Sequence, residues 1–140
     1  MNRKWLVAIV DDEVDIVNLF RESLGTIKGI SVFAFTDPLA ALEHFMINKN
    51  AYILIISDLR MPVLCGIELI KKIKKENPLV RTLLMTAFDV DDSLFDEYTK
   101  MEVINDFLQK PIRLNDLHVK VKKHLNIYRK NLKNRSKKER

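Results

Sequence analysis

The sequence predicts a doubly wound α/β fold, a parallel sheet of five strands with helices on both faces. Two observations carry that expectation. Short apolar runs alternate with segments of helical periodicity along the whole chain, giving five βα units of about 20–25 residues each. Two of those runs, Trp5-Leu6-Val7-Ala8-Ile9-Val10 and Tyr52-Ile53-Leu54-Ile55-Ile56-Ser57, are almost continuously apolar, as strands buried on both faces must be.

The elements follow in order. A strand over 4–10 runs into the acidic turn Asp11-Asp12-Glu13. The helix predicted over 13–24 spaces Val14, Val17, Phe20 and Leu24 along one face and stops at Gly25. After a strand at 30–35, Asp37-Pro38 supplies an N-cap and a proline at the first helical position for a helix over 37–47. The strand at 52–57 closes on Asp58, then Leu59-Arg60-Met61-Pro62. A carboxylate at that end of a buried strand stands where open α/β sheets place their ligands. A helix over 66–76 ends before Asn77-Pro78, followed by a strand at 81–86, a helix at 90–101, a strand at 105–109 and a last helix from 113 onward.

That last helix carries one apolar stripe, Leu114, Leu117, Val121, Leu125, Tyr128 and Leu132. About twelve residues, roughly 18 Å of helix, would cover the sheet. Tyr128 and Leu132 are therefore expected to overhang it, and the polar, basic chain beyond to be disordered. The expected organisation is one domain over 1–125 and a basic extension over 126–140, with no second folded domain.

Composition excludes several classes. The 140 residues suit one domain, and a 47% hydrophobic content supplies one core. A single cysteine, Cys65, forms no internal disulfide and fits a reducing, cytoplasmic setting. No run is long enough for a signal peptide core or a membrane span. The net charge of +5 conceals a division: residues 117–140 hold ten Lys/Arg and one acid, while 1–116 hold 14 Lys/Arg and 18 acids. His44, His118, His124 and Cys65 share no zinc-ligand spacing, and no glycine-rich phosphate loop is present.

At the strand ends the chain resembles the receiver domain of two-component response regulators, over roughly residues 4–125. Asp11-Asp12 follows the first strand; Asp58 opens Asp-Leu-Arg-Met-Pro-Val-Leu-Cys-Gly, matching the family pattern Asp-x-x-Met-Pro-x-x-x-Gly. Thr86-Ala87 ends the fourth strand and Lys110-Pro111 closes the fifth. The resemblance implies a flavodoxin-like sheet of order 2-1-3-4-5. It implies that Asp58 accepts a phosphoryl group from a histidine kinase or a phosphotransfer protein. Mg2+ would be held by Asp12, Asp58 and the Arg60 backbone carbonyl, with Asp11 acting through water. A hard cation that prefers oxygen ligands suits such a carboxylate set. Lys110 and Thr86 would receive the phosphoryl oxygens. The chain would then be a signalling phosphoacceptor rather than an enzyme.

The resemblance also implies a switch. Phosphorylation adds charge and acceptor oxygens, enough to bias a two-state element. Thr86 would move toward the phosphoryl group and Phe107, three before Lys110, would turn into the vacated space. The helix 4–strand 5–helix 5 face would respond, meeting a downstream protein target or a second copy. Pro62 would shape the loop beyond Asp58, Gly66 would permit the turn into the third helix, and Lys110-Pro111 would be cis. Arg60 and Phe88 occupy positions that gate water access in the family. Two departures lie on the helix 4–strand 5–helix 5 face: the chain reads Lys100-Met101-Glu102-Val103-Ile104-Asn105-Asp106 where the family usually has a Gly-Ala pair before the fifth strand, and the interval from Thr86 to Lys110 is longer than usual. Three outputs fit: a single-domain receiver, the amino-terminal piece of a longer regulator, or a basic tail that binds nucleic acid. The last is expected to be weak, because Tyr128 is the tail's only aromatic.

Overall fold

The computed structural model describes residues 4–87 and 93–138. Strands β1 (Trp5–Val10), β2 (Ile30–Phe35), β3 (Tyr52–Asp58), β4 (Arg81–Thr86) and β5 (Asp106–Gln109) alternate with helices α1 (Val14–Leu24), α2 (Pro38–Ile47), α3 (Gly66–Glu76), α4 (Ser93–Thr99) and α5 (Leu114–Lys138). All pairings are parallel and the order is β2-β1-β3-β4-β5, as expected. The strand order reverses direction between β1 and β3, which opens a crevice beyond their carboxyl ends.

Each face of the sheet has its own core. Val7, Ile9, Leu54 and Ile56 meet Val17, Phe20 and Leu24 of α1 and Leu117, Val121 and Leu125 of α5. Ala8, Val10 and Ile55 meet Ala41 and Phe45 of α2 and Leu69 and Ile73 of α3. An irregularity shifts the β1–β3 register, so that Leu6 pairs with Tyr52 but Val7 with Leu54. Ile53 and Leu54 consequently join the same core cluster, an exception to strand alternation that a bulge permits. A third cluster joins Ile67, Ile70 and Leu84 to Tyr98, Met101 and Phe107, and seats α4.

Local signals act as expected at α2, where Asp37 Oδ1 accepts from Leu39 N at 3.0 Å and Pro38 begins the helix. Between β3 and α3, exposed Val63 takes a positive φ of 73°. That conformation costs a side-chain-bearing residue roughly 1–2 kcal/mol.

Two expectations change. The chain beyond Leu132 is helical, not disordered, because α5 continues unbroken to Lys138. Tyr128 does not overhang: it is 3% exposed and its ring stands edge-on to Trp5 at 5.6 Å. The reason is geometric. From the carboxyl edge, α5 runs back along the sheet to the start of β1, where the large Trp5 ring must be covered. Leu132, 36% exposed, does lie beyond the core. The expected helix over 90–101 is α4 from Ser93 to Thr99, and positions 90–92 lie outside the described residues.

The unusual lead-in to β5 is held by side chains. Thr82 donates its backbone N–H to Asn105 Oδ1 at 2.9 Å, Asn105 N donates to Thr82 O at 2.9 Å, and the Thr82 hydroxyl bonds the Val103 carbonyl. Lys74 Nζ reaches the same Asn105 oxygen at 2.8 Å. Burial first, and then the charge of Arg81, push the Lys74 pKa down to about 8.

Candidate functional site

Strands β1, β3, β4 and β5 each deliver a polar residue to one edge. Asp11 follows β1 and is fully buried; Asp58 is the last residue of β3 and is 8% exposed; Thr86 is the last of β4 and is 2% exposed; Lys110 follows β5. Asp12, beside Asp11, is exposed. Carboxylate oxygens of Asp11, Asp12 and Asp58 lie within 4.8 Å of one another, the only such group of potential metal ligands among the described residues.

The local chain explains these positions. Asp11 Oδ1 accepts from Glu13 N at 3.0 Å, which folds the acidic turn back on itself. Leu59 N donates to Met85 O at 3.0 Å and Gly66 N to Leu59 O at 2.9 Å, closing the loop after Asp58. Gly66 is needed for a reason other than turn flexibility. A Cβ there would lie 2.2 Å from the Asp58 carbonyl oxygen, so the start of α3 packs directly on the backbone of the site. The Lys110–Pro111 bond is cis. Lys110 Nζ lies 3.0 Å from Asp11 Oδ2 and 3.2 Å from Asp58 Oδ1, bridging the two buried acids.

Three carboxylates against one ammonium leave the site short of positive charge. Burial, then the neighbouring Asp11, raise the Asp58 pKa above its ordinary value, and Lys110 only partly opposes them. Burial alone would lower the Lys110 pKa, but its hydrogen bond to Asp11 and the charges of Asp58 and Asp11 hold it raised. A cavity of about 430 Å³ opens onto this cluster, lined by Glu13, Asp58, Leu59, Arg60, Thr86, Ala87 and Lys110. The donors are all hard oxygens, which fits a cation such as Mg2+ and not a thiophilic metal.

Most of the sequence-predicted residues therefore converge. Phe107 does not line this cavity; it is half-buried in the cluster with Tyr98 and Met101. Phe88 lies outside the described residues. Cys65 is an exposed free thiol at the start of α3. The three histidines are dispersed: His44 bonds Tyr52, His118 bonds Ser23, and His124 bonds Asp106.

Sequence reasoning missed the network around Asp106. His124 Nε2 lies 2.8 Å from Asp106 Oδ2, Lys120 Nζ 2.9 Å from Oδ1, and Arg81 Nε donates to His124 Nδ1 at 3.2 Å. Since the guanidinium can only donate, Nδ1 accepts and Nε2 carries the hydrogen given to Asp106. The network ties α5 to β4 and β5 next to Phe107. The i, i+4 pair Lys120 and His124 beside the apolar stripe of α5 was the available signal.

The comparisons agree with this geometry. A family model for the response regulator receiver domain matches residues 7–122. The chain is 30% identical over 125 residues to sporulation initiation phosphotransferase F of Bacillus subtilis, covering 89% of this chain and 95% of that one. It is 32% identical over 123 residues to the alkaline phosphatase synthesis transcriptional regulatory protein PhoP of the same organism, covering 87% of this chain but 48% of the relative. Against the DNA-binding transcriptional regulator NtrC of Escherichia coli it is 27% identical and spans 26% of that protein. The chain thus spans about half or less of some relatives and nearly all of another. Among solved structures, a response regulator receiver domain from Clostridium thermocellum superposes with a TM-score of 0.75 at 27% identity, covering 91% of this chain and 98% of that one. With the fold, the strand-end residues and the family match in agreement, the chain belongs to the response regulator receiver family of two-component signalling.

Proposed function

We propose that this receiver accepts a phosphoryl group on Asp58 from the phosphohistidine of a sensor histidine kinase or a phosphotransfer protein. One observation carries the reading: Lys110 bridges Asp11 and Asp58 at 3.0 and 3.2 Å at the mouth of a cavity that Thr86 also lines. In the transfer, an Asp58 carboxylate oxygen forms the new P–O bond as the donor's P–N bond breaks, and the electron pair returns to the imidazole nitrogen. Lys110 would leave its carboxylate partners in part to meet the incoming oxygens, and the Thr86 hydroxyl would bond another. Phosphoryl transfer depends largely on such positioning and charge compensation.

Mg2+ is the proposed cofactor, with Asp12, Asp58 and the Arg60 carbonyl as direct ligands and Asp11 acting through water. Bound there, the ion would supply the positive charge that three carboxylates and one lysine lack. Thr86 and Phe107 are the proposed switch pair, and the α4–β5–α5 face the proposed docking or dimer surface. We place the receiver unit at 1–125, with 126–140 a basic extension in which α5 continues to Lys138 and Tyr128 is shared with the core. The chain is a signalling module rather than a classical enzyme. No helix among the described residues is long and apolar enough to cross a membrane. A cytoplasmic setting, suited to the lone thiol, belongs to this proposal.

A second reading, the amino-terminal receiver of a longer regulator, is favoured by the greater length of PhoP and NtrC. It leaves the chemistry unchanged. Incubation with acetyl phosphate and Mg2+, followed by intact mass, tests that chemistry. A gain of one phosphoryl group is expected, absent with chelator and absent in Asp58→Ala. A gain of equal extent in Asp58→Ala would overturn the assignment.

A further inference from the structure

We propose that the outer face of α5 is a docking surface for the phosphate backbone of duplex nucleic acid, made by Lys122, Asn126, Arg129, Lys130 and Lys133. These five positions are spaced i, i+4, i+7, i+8 and i+11, so they share one face of the helix. All five are exposed. The opposite face, Val121, Leu125 and Tyr128, is buried against the sheet and Trp5, which fixes the rotation of the helix and turns the basic stripe to solvent.

The cations of this stripe differ from the others on α5. Lys120 and Lys123 are drawn to Asp106 at 2.9 and 3.8 Å. Among the described residues, Lys122, Arg129, Lys130 and Lys133 form no ion pair with an acid. Four charges held over roughly 17 Å of rigid helix face about five phosphates of one duplex strand. Cations on a disordered tail would hold phosphates only loosely, but the contact with Trp5 anchors this helix in register with the domain. The stripe also extends toward the amino-terminal end of the sheet, away from the carboxylates of the phosphorylation site.

Other polyanionic surfaces fit less well. A helix lying on an anionic membrane needs a free apolar face, and here that face is spent on the core. Protein interfaces draw their strength from buried apolar or aromatic anchors. The stripe offers none.

The test is fluorescence anisotropy of a labelled random-sequence 20-bp duplex (roughly two helical turns) with the full chain across a salt series. Four phosphate contacts give a slope of log K against log salt of about −3.6, hence a loss of about 150-fold between 50 and 200 mM salt. Lys130→Ala with Lys133→Ala should halve the slope, to about −1.8. Lys71→Ala with Lys75→Ala on α3 removes the same charge elsewhere and should leave affinity within about twofold. Far-UV circular dichroism establishes that both variants keep their helices. Four results would overturn the proposal: no binding at low salt, an unchanged slope in the α5 variant, an equal loss in the α3 variant, or preferential binding to phosphatidylserine vesicles.

Discussion

Replacing Asp58 with asparagine is expected to stabilise the fold, because the native carboxylate is crowded and poorly solvated. Its side chain is 11% exposed, and carboxylate oxygens of Asp11 and Asp12 lie within 4.8 Å. At an effective dielectric of about 20, repulsion from Asp11 amounts to about 3 kcal/mol or more, and attraction to Lys110 at contact to about 5 kcal/mol. Lys110 is shared with Asp11, however, and exposed Asp12 adds a screened repulsion. The charge interactions nearly cancel. What remains is the desolvation of an ionised group, several kcal/mol in a protein interior. Asparagine retains part of the polar burial, which leaves a net gain of about 1–2 kcal/mol near neutral pH.

The pH dependence follows from the raised pKa. Below the ordinary value of 3.8, Asp58 is protonated in both folded and unfolded chains, so variant and wild type should differ little. The wild type then loses stability as pH rises from there to the folded pKa, and the advantage of the variant grows to a plateau. Urea midpoints across this range, without metal, provide the assay. Mg2+ at 100 times its dissociation constant should restore about 2.7 kcal/mol to the wild type and much less to Asp58→Asn. A variant less stable than wild type at neutral pH, or an advantage undiminished in acid, would show that the buried Asp58 carboxylate does not destabilise the fold.

Other substitutions probe the supports of the site. Gly66→Ala forces a Cβ to within 2.2 Å of the Asp58 carbonyl, which only backbone movement can relieve. We expect a loss of about 3 kcal/mol in denaturant unfolding, together with slower phosphorylation by acetyl phosphate. Asp106→Asn should cost about 2–4 kcal/mol near neutral pH, because the negative charge beside Lys120 is lost and one of the two oxygens that accept from Lys120 and buried His124 becomes an amide NH2 donor. Although burial pushes the Asp106 pKa up, hydrogen bonds from His124, Lys120 and Phe107 N hold it well below the usual 3.8. The cost of the substitution should therefore shrink as pH falls below that value in a titration of urea midpoints. Tyr128→Ala should lower stability by about 3 kcal/mol by exposing Trp5, with a red shift in Trp5 fluorescence; an unaffected midpoint would mean that the ring overhangs after all.

The residues of the site were legible because each is marked locally. Asp58 closes an apolar run, Asp11-Asp12 closes another, and Lys110 precedes a proline, so strand periodicity alone carries them to one edge. Both helical layers were legible from the same periodicity, whereas the sheet order was legible only through the resemblance of the strand-end motifs to the receiver family. Partnerships between distant residues were not. Nothing local in Thr82 announces Asn105, and nothing in Arg81 announces His124 and Asp106. The contact that makes Gly66 necessary is not legible, because a close approach to Asp58 depends on how α3 packs, which no turn propensity encodes. The burial of Tyr128 is not legible from helix length either, because it depends on the Trp5 ring at the distant start of β1.

The most direct test of the central claim locates the phosphoryl group itself. After reaction with acetyl phosphate and Mg2+, borohydride reduces an aspartyl phosphate to homoserine, and peptide sequencing by mass spectrometry finds its position. Homoserine is expected at position 58 alone, and none when the metal is chelated. Homoserine at position 11 or 12, or its absence from position 58 in protein that has gained phosphoryl mass, would contradict it.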